Sequence, residues 1–269
     1  MRNYPISLLL GLTATIALYA PLPAQAQPIL YDETGGKESI TLDPDGLAVL
    51  ESIGLSVNID SIEQTAEPAP GFSFAFSVLP RSSDPNVLGN SFQFLYDEET
   101  DFFLPFSGST ELSGSIFFDV DTTKIDLPPV FEIGDLSARF DPTTFEFSLT
   151  DTANTGLAIF DSQPPGNPVF DLPNQTWSLD PLLISISEDF SNFLIDAQLA
   201  AGVTDPIVTE GVLIAIARGD RTFVEAGSTQ VPEPGSALAV LTAASAALAV
   251  GKRRRCASLV LNNKRESSN

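Results

Sequence analysis

Between residues 55 and 224, apolar and polar side chains alternate in short runs separated by Pro, Gly, Asp and Asn. Residues 72–78 (FSFAFSV) put Phe72, Phe74, Phe76 and Val78 on one side of an extended chain and small or polar residues on the other. A period of two is the signature of a half-buried strand. The same reading predicts strands at 55–59, 92–96, 112–120, 144–149, 157–160, 177–187, 193–199, 212–217 and 222–224. Gly114 inside the 112–120 run marks a bulge. Turns fall at 84–86 (DPN), 127–129 (LPP) and 163–168 (QPPGNP). Residues 43–52 (DPDGLAVLES) suit one or two helical turns, and no other body segment shows a sustained 3.6-residue period with caps. The expected fold is all-β: an antiparallel β-sandwich or jelly-roll-like domain with Phe-rich inner faces as its core.

The two ends break this pattern. Pro232, Glu233 and Pro234 are followed by an uncharged run, largely Ala, Leu and Val, and then by Lys252, Arg253, Arg254 and Arg255. As a helix at about 1.5 Å per residue, residues 234–251 span roughly 27 Å, close to a bilayer core of about 30 Å. The basic block stops transfer and stays cytoplasmic, which places the preceding body outside. At the other end, Arg2 forms a basic n-region and residues 6–20 an apolar h-region; Ala24-Gln25-Ala26 is a small-x-small cleavage pattern for signal peptidase. The expected organisation is a signal peptide at 1–26, a β-rich exported domain at 27–225 and a polar linker at 226–230. A sorting segment at 231–255, with its transmembrane helix at 235–251, and a cytoplasmic tail at 256–269 complete the chain.

Residues 231–255 resemble the PEP-CTERM sorting signal of Gram-negative bacteria, in which a Pro-Glu-Pro motif precedes a transmembrane helix and an Arg-rich end. The resemblance rests on Pro232, Glu233, Pro234, the run 235–251 and Arg253, Arg254 and Arg255, and covers under a tenth of the chain. Family tails usually end soon after the basic cluster, whereas here CASLVLNNKRESSN follows. The resemblance implies recognition by an exosortase, a membrane cysteine transpeptidase, with cleavage near the motif. It also implies export to the cell surface or extracellular matrix, usually alongside exopolysaccharide.

Charge sharpens the picture of what is exported. Residues 27–230 hold six basic and 33 acidic side chains, a net charge of −27 against −22 for the whole chain, because the address carries basic residues. Such a body repels nucleic acid and anionic headgroups and suits cations or neutral glycans. The single cysteine, Cys256, lies in the tail, so the body has no disulfide framework. Histidine is absent. That excludes His-ligated metals, Ser-His-Asp and Cys-His nucleophiles and His general bases.

What remains is carboxylate chemistry. Asp43 and Asp45, and Asp119 and Asp121, place oxygens near turns, the ligand type that Ca²⁺ takes six to eight at a time. None fits the twelve-residue EF-hand loop. Paired carboxylates also run glycoside hydrolysis, but spacing selects no pair, and Glu146 reads as an outward position of an alternating strand. The leading expectation is a non-catalytic surface or matrix protein associated with exopolysaccharide. A Ca²⁺-dependent or glycan-binding adhesive module is the alternative, and a polysaccharide-active enzyme the third.

Overall fold

The computed structural model describes residues 27–82, 87–141, 146–164 and 166–227. The segments expected to be signal peptide, sorting segment and tail, and most of the expected linker, lie outside these residues. In chain order the elements are β1 (Ile29–Leu42), α1 (Pro44–Ser52), β2 (Leu55–Val57), a 3₁₀ turn (Ile59–Ser61), β3 (Phe74–Val78), β4 (Gln93–Asp97), β5 (Phe102–Ser107), β6 (Ser109–Ser113) and β7 (Ser115–Val120). Then come β8 (Val130–Gly134), β9 (Leu136–Asp141), β10 (Glu146–Asp151), β11 (Ala158–Gln163), β12 (Val169–Asp171), β13 (Thr176–Ile186), α2 (Glu188–Ala200) and β14 (Leu213–Glu225).

The chain is antiparallel β, as its alternation predicts, but the sheet closes on itself. Ladders run β1-β3-β6-β9-β10-β11-β13-β14 and return from β14 to β1, every pairing antiparallel. The expected two-sheet sandwich is therefore replaced by a barrel-like sheet. The closing strand is β14, which bonds β1 along Tyr31–Glu225 to Leu42–Ala215 and β13 along Thr176–Thr222 to Ser185–Leu213. At one end β1 and β13 outrun the barrel and take on β4-β5 and β12 as extra strands. Closure removes the edges along the barrel wall, which an open sheet would have to protect.

Inward positions such as Leu136, Leu149, Phe160 and Ile184 alternate with polar outward ones such as Ser137, Arg139, Ser148, Thr150, Asp161 and Ser185. An apolar interior inside a polar wall is the pattern of a barrel standing in water, the inverse of a lipid-facing one. Among the described residues no helix is long and apolar enough to cross a membrane.

Strands β5, β8, β9 and β12 lie where the alternation predicts none, and four further departures have a local reason. The 193–199 run is not a strand but the second half of α2. Ser187 caps that helix, its Oγ accepting from Phe190 N at 3.1 Å, and Glu188 and Asp189 occupy the first turn. Phe190 and Leu194 then bury one face, and both are at most 2% exposed. The 112–120 run divides at Gly114 (φ +114°), where β6 leaves the barrel and β7 enters a second sheet, β2-β7-β8. A Cβ there would lie 2.6 Å from the Phe76 ring. The 212–217 and 222–224 runs are one strand, β14, continuous through Gly219. Strand β1 is not predicted; a bulge at Glu33/Gly35 interrupts the alternation along this long strand.

The second sheet and α2 cover the barrel end opposite β4-β5. Phe131 of β8 stacks on Phe190 and Phe193 of α2, and Phe160 of β11 meets Phe190 edge-on. The other end is plugged by aromatic rings: Phe94 contacts Tyr31, Phe103, Phe170, Trp177 and Phe223, with centroids 5.5–5.8 Å apart. Each fully buried ring of this size is worth about 1.5–3 kcal/mol over an exposed one. The Phe stripes are thus core, as their periodicity predicts.

Candidate functional site

Between the aromatic plug and the aliphatic half of the barrel lies a layer of buried charge. Glu33 and Glu38 are five positions apart on β1, and simple alternation would send them to opposite faces. The bulge between Glu33 and Gly35 shifts the parity by one, so Tyr31, Glu33, Glu38, Ile40 and Leu42 are all buried or packed on the core. Arg221 stands opposite Gly36 on β14, and Gly219 stands opposite Glu38. A Cβ at Gly36 would sit 2.8 Å from Arg221 Cα, and one at Gly219 only 3.2 Å from the guanidinium carbon. Two glycines therefore leave the room in which Arg221 reaches both carboxylates.

Glu33 is 0% exposed, Glu38 6% and Arg221 7%. Arg221 donates from one terminal nitrogen to Glu38 Oε2 and from the other to the Lys37 carbonyl. Its Nε lies 3.6 Å from Glu33 Oε2, and its guanidinium carbon 6.0 Å from the centre of the Trp177 ring. Glu33 Oε1 accepts from Asn90 Nδ2 at 2.7 Å and from Thr110 Oγ at 2.8 Å. Four buried atoms of the cluster have no hydrogen-bond partner: Glu33 Oε2, Glu38 Oε1, Arg221 Nε and Trp177 Nε1.

Burial pushes both glutamates above the usual carboxylate range. Arg221 opposes this at each, and Thr110 and Asn90 help it at Glu33. Burial pulls Arg221 down, but Glu38 and Glu33 outweigh it, so its pKa is raised and the guanidinium keeps its charge. With both carboxylates ionised the cluster carries one negative charge in excess.

The cluster borders a cavity of about 90 Å³ in the barrel interior. Glu38, Thr110, Trp177 and Arg221 form a polar end, and the remainder is lined by Ser162 and by aliphatic and aromatic side chains such as Ile40, Phe76, Leu149 and Ile214. Outside the wall, a shallow groove of about 570 Å³ runs past Lys37, Phe170, Asp171, Arg218, Asp220 and Thr222.

Residues singled out from sequence have other placements. Asp43 Oδ1 caps α1, accepting from Asp45 N at 3.1 Å and Gly46 N at 3.0 Å, and Asp45 is exposed in the first turn. Asp121 binds the backbone and hydroxyl of Thr123 in the turn after β7, and Asp119 accepts from Asn58 Nδ2 at 3.3 Å. Among the described residues no three acidic side chains are grouped to hold a metal ion. Glu146 accepts from Gln163 Nε2 on the outer wall. Ala24, Ala26, Pro232, Glu233, Pro234, Arg253, Arg254 and Arg255 lie outside the described residues.

Sequence reasoning missed the Glu33–Glu38–Arg221 cluster. Its members are up to 188 positions apart, and the odd spacing of the two glutamates conceals their shared face. The one available signal was Thr-Gly-Gly inside a β-branched, alternating stretch, which is bulge chemistry. No protein-family model, no curated protein and no solved structure matches this chain.

Proposed function

We propose that this is an exported, exosortase-processed protein of the cell surface or extracellular matrix. The delivered body is a non-catalytic barrel domain associated with exopolysaccharide. The observation that carries the reading is the ordered address at residues 231–255, which resembles a PEP-CTERM signal, paired with a signal-peptide pattern at the N-terminus. Three features of the body support it. The outer wall is polar, the net charge is strongly negative, and the first and last strands are neighbours: Ala226 N bonds Leu30 O at 2.9 Å. Both processing sites would therefore join the barrel at one place on its wall. Signal peptidase and exosortase are the transient partners, and the C-terminal helix the transient membrane anchor.

The test is expression of the full chain in a host with and without an exosortase, followed by intact-mass analysis of the surface fraction. The expected product starts at Gln27 and lacks the residues beyond the Pro-Glu-Pro motif only when the exosortase is present. A product retained in the cytoplasm, or identical in both hosts, would sink the reading. The outer groove favours a glycan-binding role as a second reading, because Phe170 and charged and hydroxyl side chains such as Asp171, Arg218, Asp220 and Thr222 line it together. Retention of the protein on the host's purified exopolysaccharide, lost on Asp220→Ala, is its test.

A further inference from the structure

We propose that the barrel interior is a binding site for one small alkylammonium ion. The apolar chain would fill the cavity and the ammonium would lie against Glu38. Three observations converge on that chemistry. The cavity holds about 90 Å³, with a largely apolar lining and a polar end at Glu38 and Arg221. An engineered cavity of about 150 Å³ holds benzene, so this one has room for roughly four non-hydrogen atoms. At the polar end Glu38 Oε1 is buried and unpartnered, its sister oxygen being taken by Arg221. Finally, among the described residues Glu33 and Glu38 have one guanidinium between them, so the buried pair needs either a proton or a second cation. A primary ammonium brings the missing positive charge and donors for the free oxygen, and its short chain contacts the aliphatic lining. A neutral molecule of the same shape satisfies only the apolar part. Burial holds Glu38 above its ordinary range against the pull of Arg221, with Asp220 adding to the rise, so an added cation relieves an existing penalty. The strongly acidic body also concentrates cations around the barrel.

The experiment is thermal unfolding and calorimetry of the purified full chain near pH 7.5 with n-propylammonium, its isostere 1-propanol, and sodium at matched ionic strength. A four-atom ligand is limited to a Kd of roughly 10–100 μM at best. At about 100 times Kd the melting temperature should rise by roughly 5–10 °C with propylammonium and by less than about 2 °C with the other two. Glu38→Gln should lower the affinity at least about 100-fold, the loss expected for a buried charge partner. Ala138→Val, which narrows the cavity from the facing wall, should abolish the shift without touching the charges. An equal response to 1-propanol would overturn the proposal, since charge would not be read. No response to propylammonium in the wild type, meaning a cavity that holds only water or nothing, would overturn it as well. Neither result bears on export, which the intact-mass experiment decides separately.

Discussion

Arg221→Met removes the guanidinium from between Glu33 and Glu38 while keeping an unbranched side chain to fill the space. Among the described residues Arg221 is the one cation paired with these two glutamates, and each of them keeps an unpartnered oxygen even in its presence. Breaking a buried pair from one side costs about 3–5 kcal/mol, because the remaining charge is left uncompensated. A carboxylate can escape that penalty by taking up a proton. Doing so costs about 1.36 kcal/mol per pH unit above an ordinary Glu value of about 4.3. At pH 7.5 that is roughly 4 kcal/mol per carboxylate, comparable with the penalty itself; at pH 5.5 it is roughly 1.6 kcal/mol. The variant should therefore lose about 3–5 kcal/mol near pH 7.5 and regain roughly 2–3 kcal/mol of it near pH 5.5. For a domain of this size each kcal/mol corresponds to about 2–4 °C, so the deficit is roughly 6–20 °C at the higher pH and markedly less at the lower. Urea unfolding followed by Trp177 fluorescence, run at both pH values, measures it directly. A variant as stable as the wild type at pH 7.5, or equally impaired at both pH values, would refute the assignment of Arg221 as the compensating charge.

Other outcomes follow from the same structure. The wild type should melt at a higher temperature near pH 5 than near pH 8. Glu33 and Glu38 have raised pKa values, so the native state holds more protons, and their contribution is lost as pH rises through those raised values. A scanning-calorimetry pH series showing the opposite slope would exclude this. Gly114→Val should destabilise by about 2–4 kcal/mol, measured by urea midpoint, because it combines a left-handed backbone with a clash on Phe76. Leu194→Ala, at a fully buried position of α2, should cost about 2–5 kcal/mol in the same assay. Asp43→Ala should cost only about 0.5–2 kcal/mol, the value of a helix N-cap, and should leave melting in Ca²⁺ and in chelator alike. A Ca²⁺-dependent difference that Asp43→Ala abolishes would restore a metal role for that turn.

Alternation along the chain determined the antiparallel β class, the Phe core and most strand positions. Phe74, Phe76 and Val78 are buried on the face that their spacing predicts. The absence of histidine and the tail placement of Cys256 restricted the body's chemistry to carboxylates before any fold was known. The proposed address at the two ends rests on sequence alone, as a linear pattern of turn, apolar length and charge. Helix α2 escapes the reading by alternation: the 193–199 run alternates like a strand, and only the structure shows Ser187 capping a helix that buries Phe190 and Leu194. Tertiary structure alone decided closure, because whether β14 bonds one neighbour or two depends on the twist and stagger of the whole sheet, not on any local residue. It alone decided the buried charge cluster too. A one-residue bulge at Thr34-Gly35 turned two glutamates onto the same face, and closure brought Arg221 between them from the far end of the sequence.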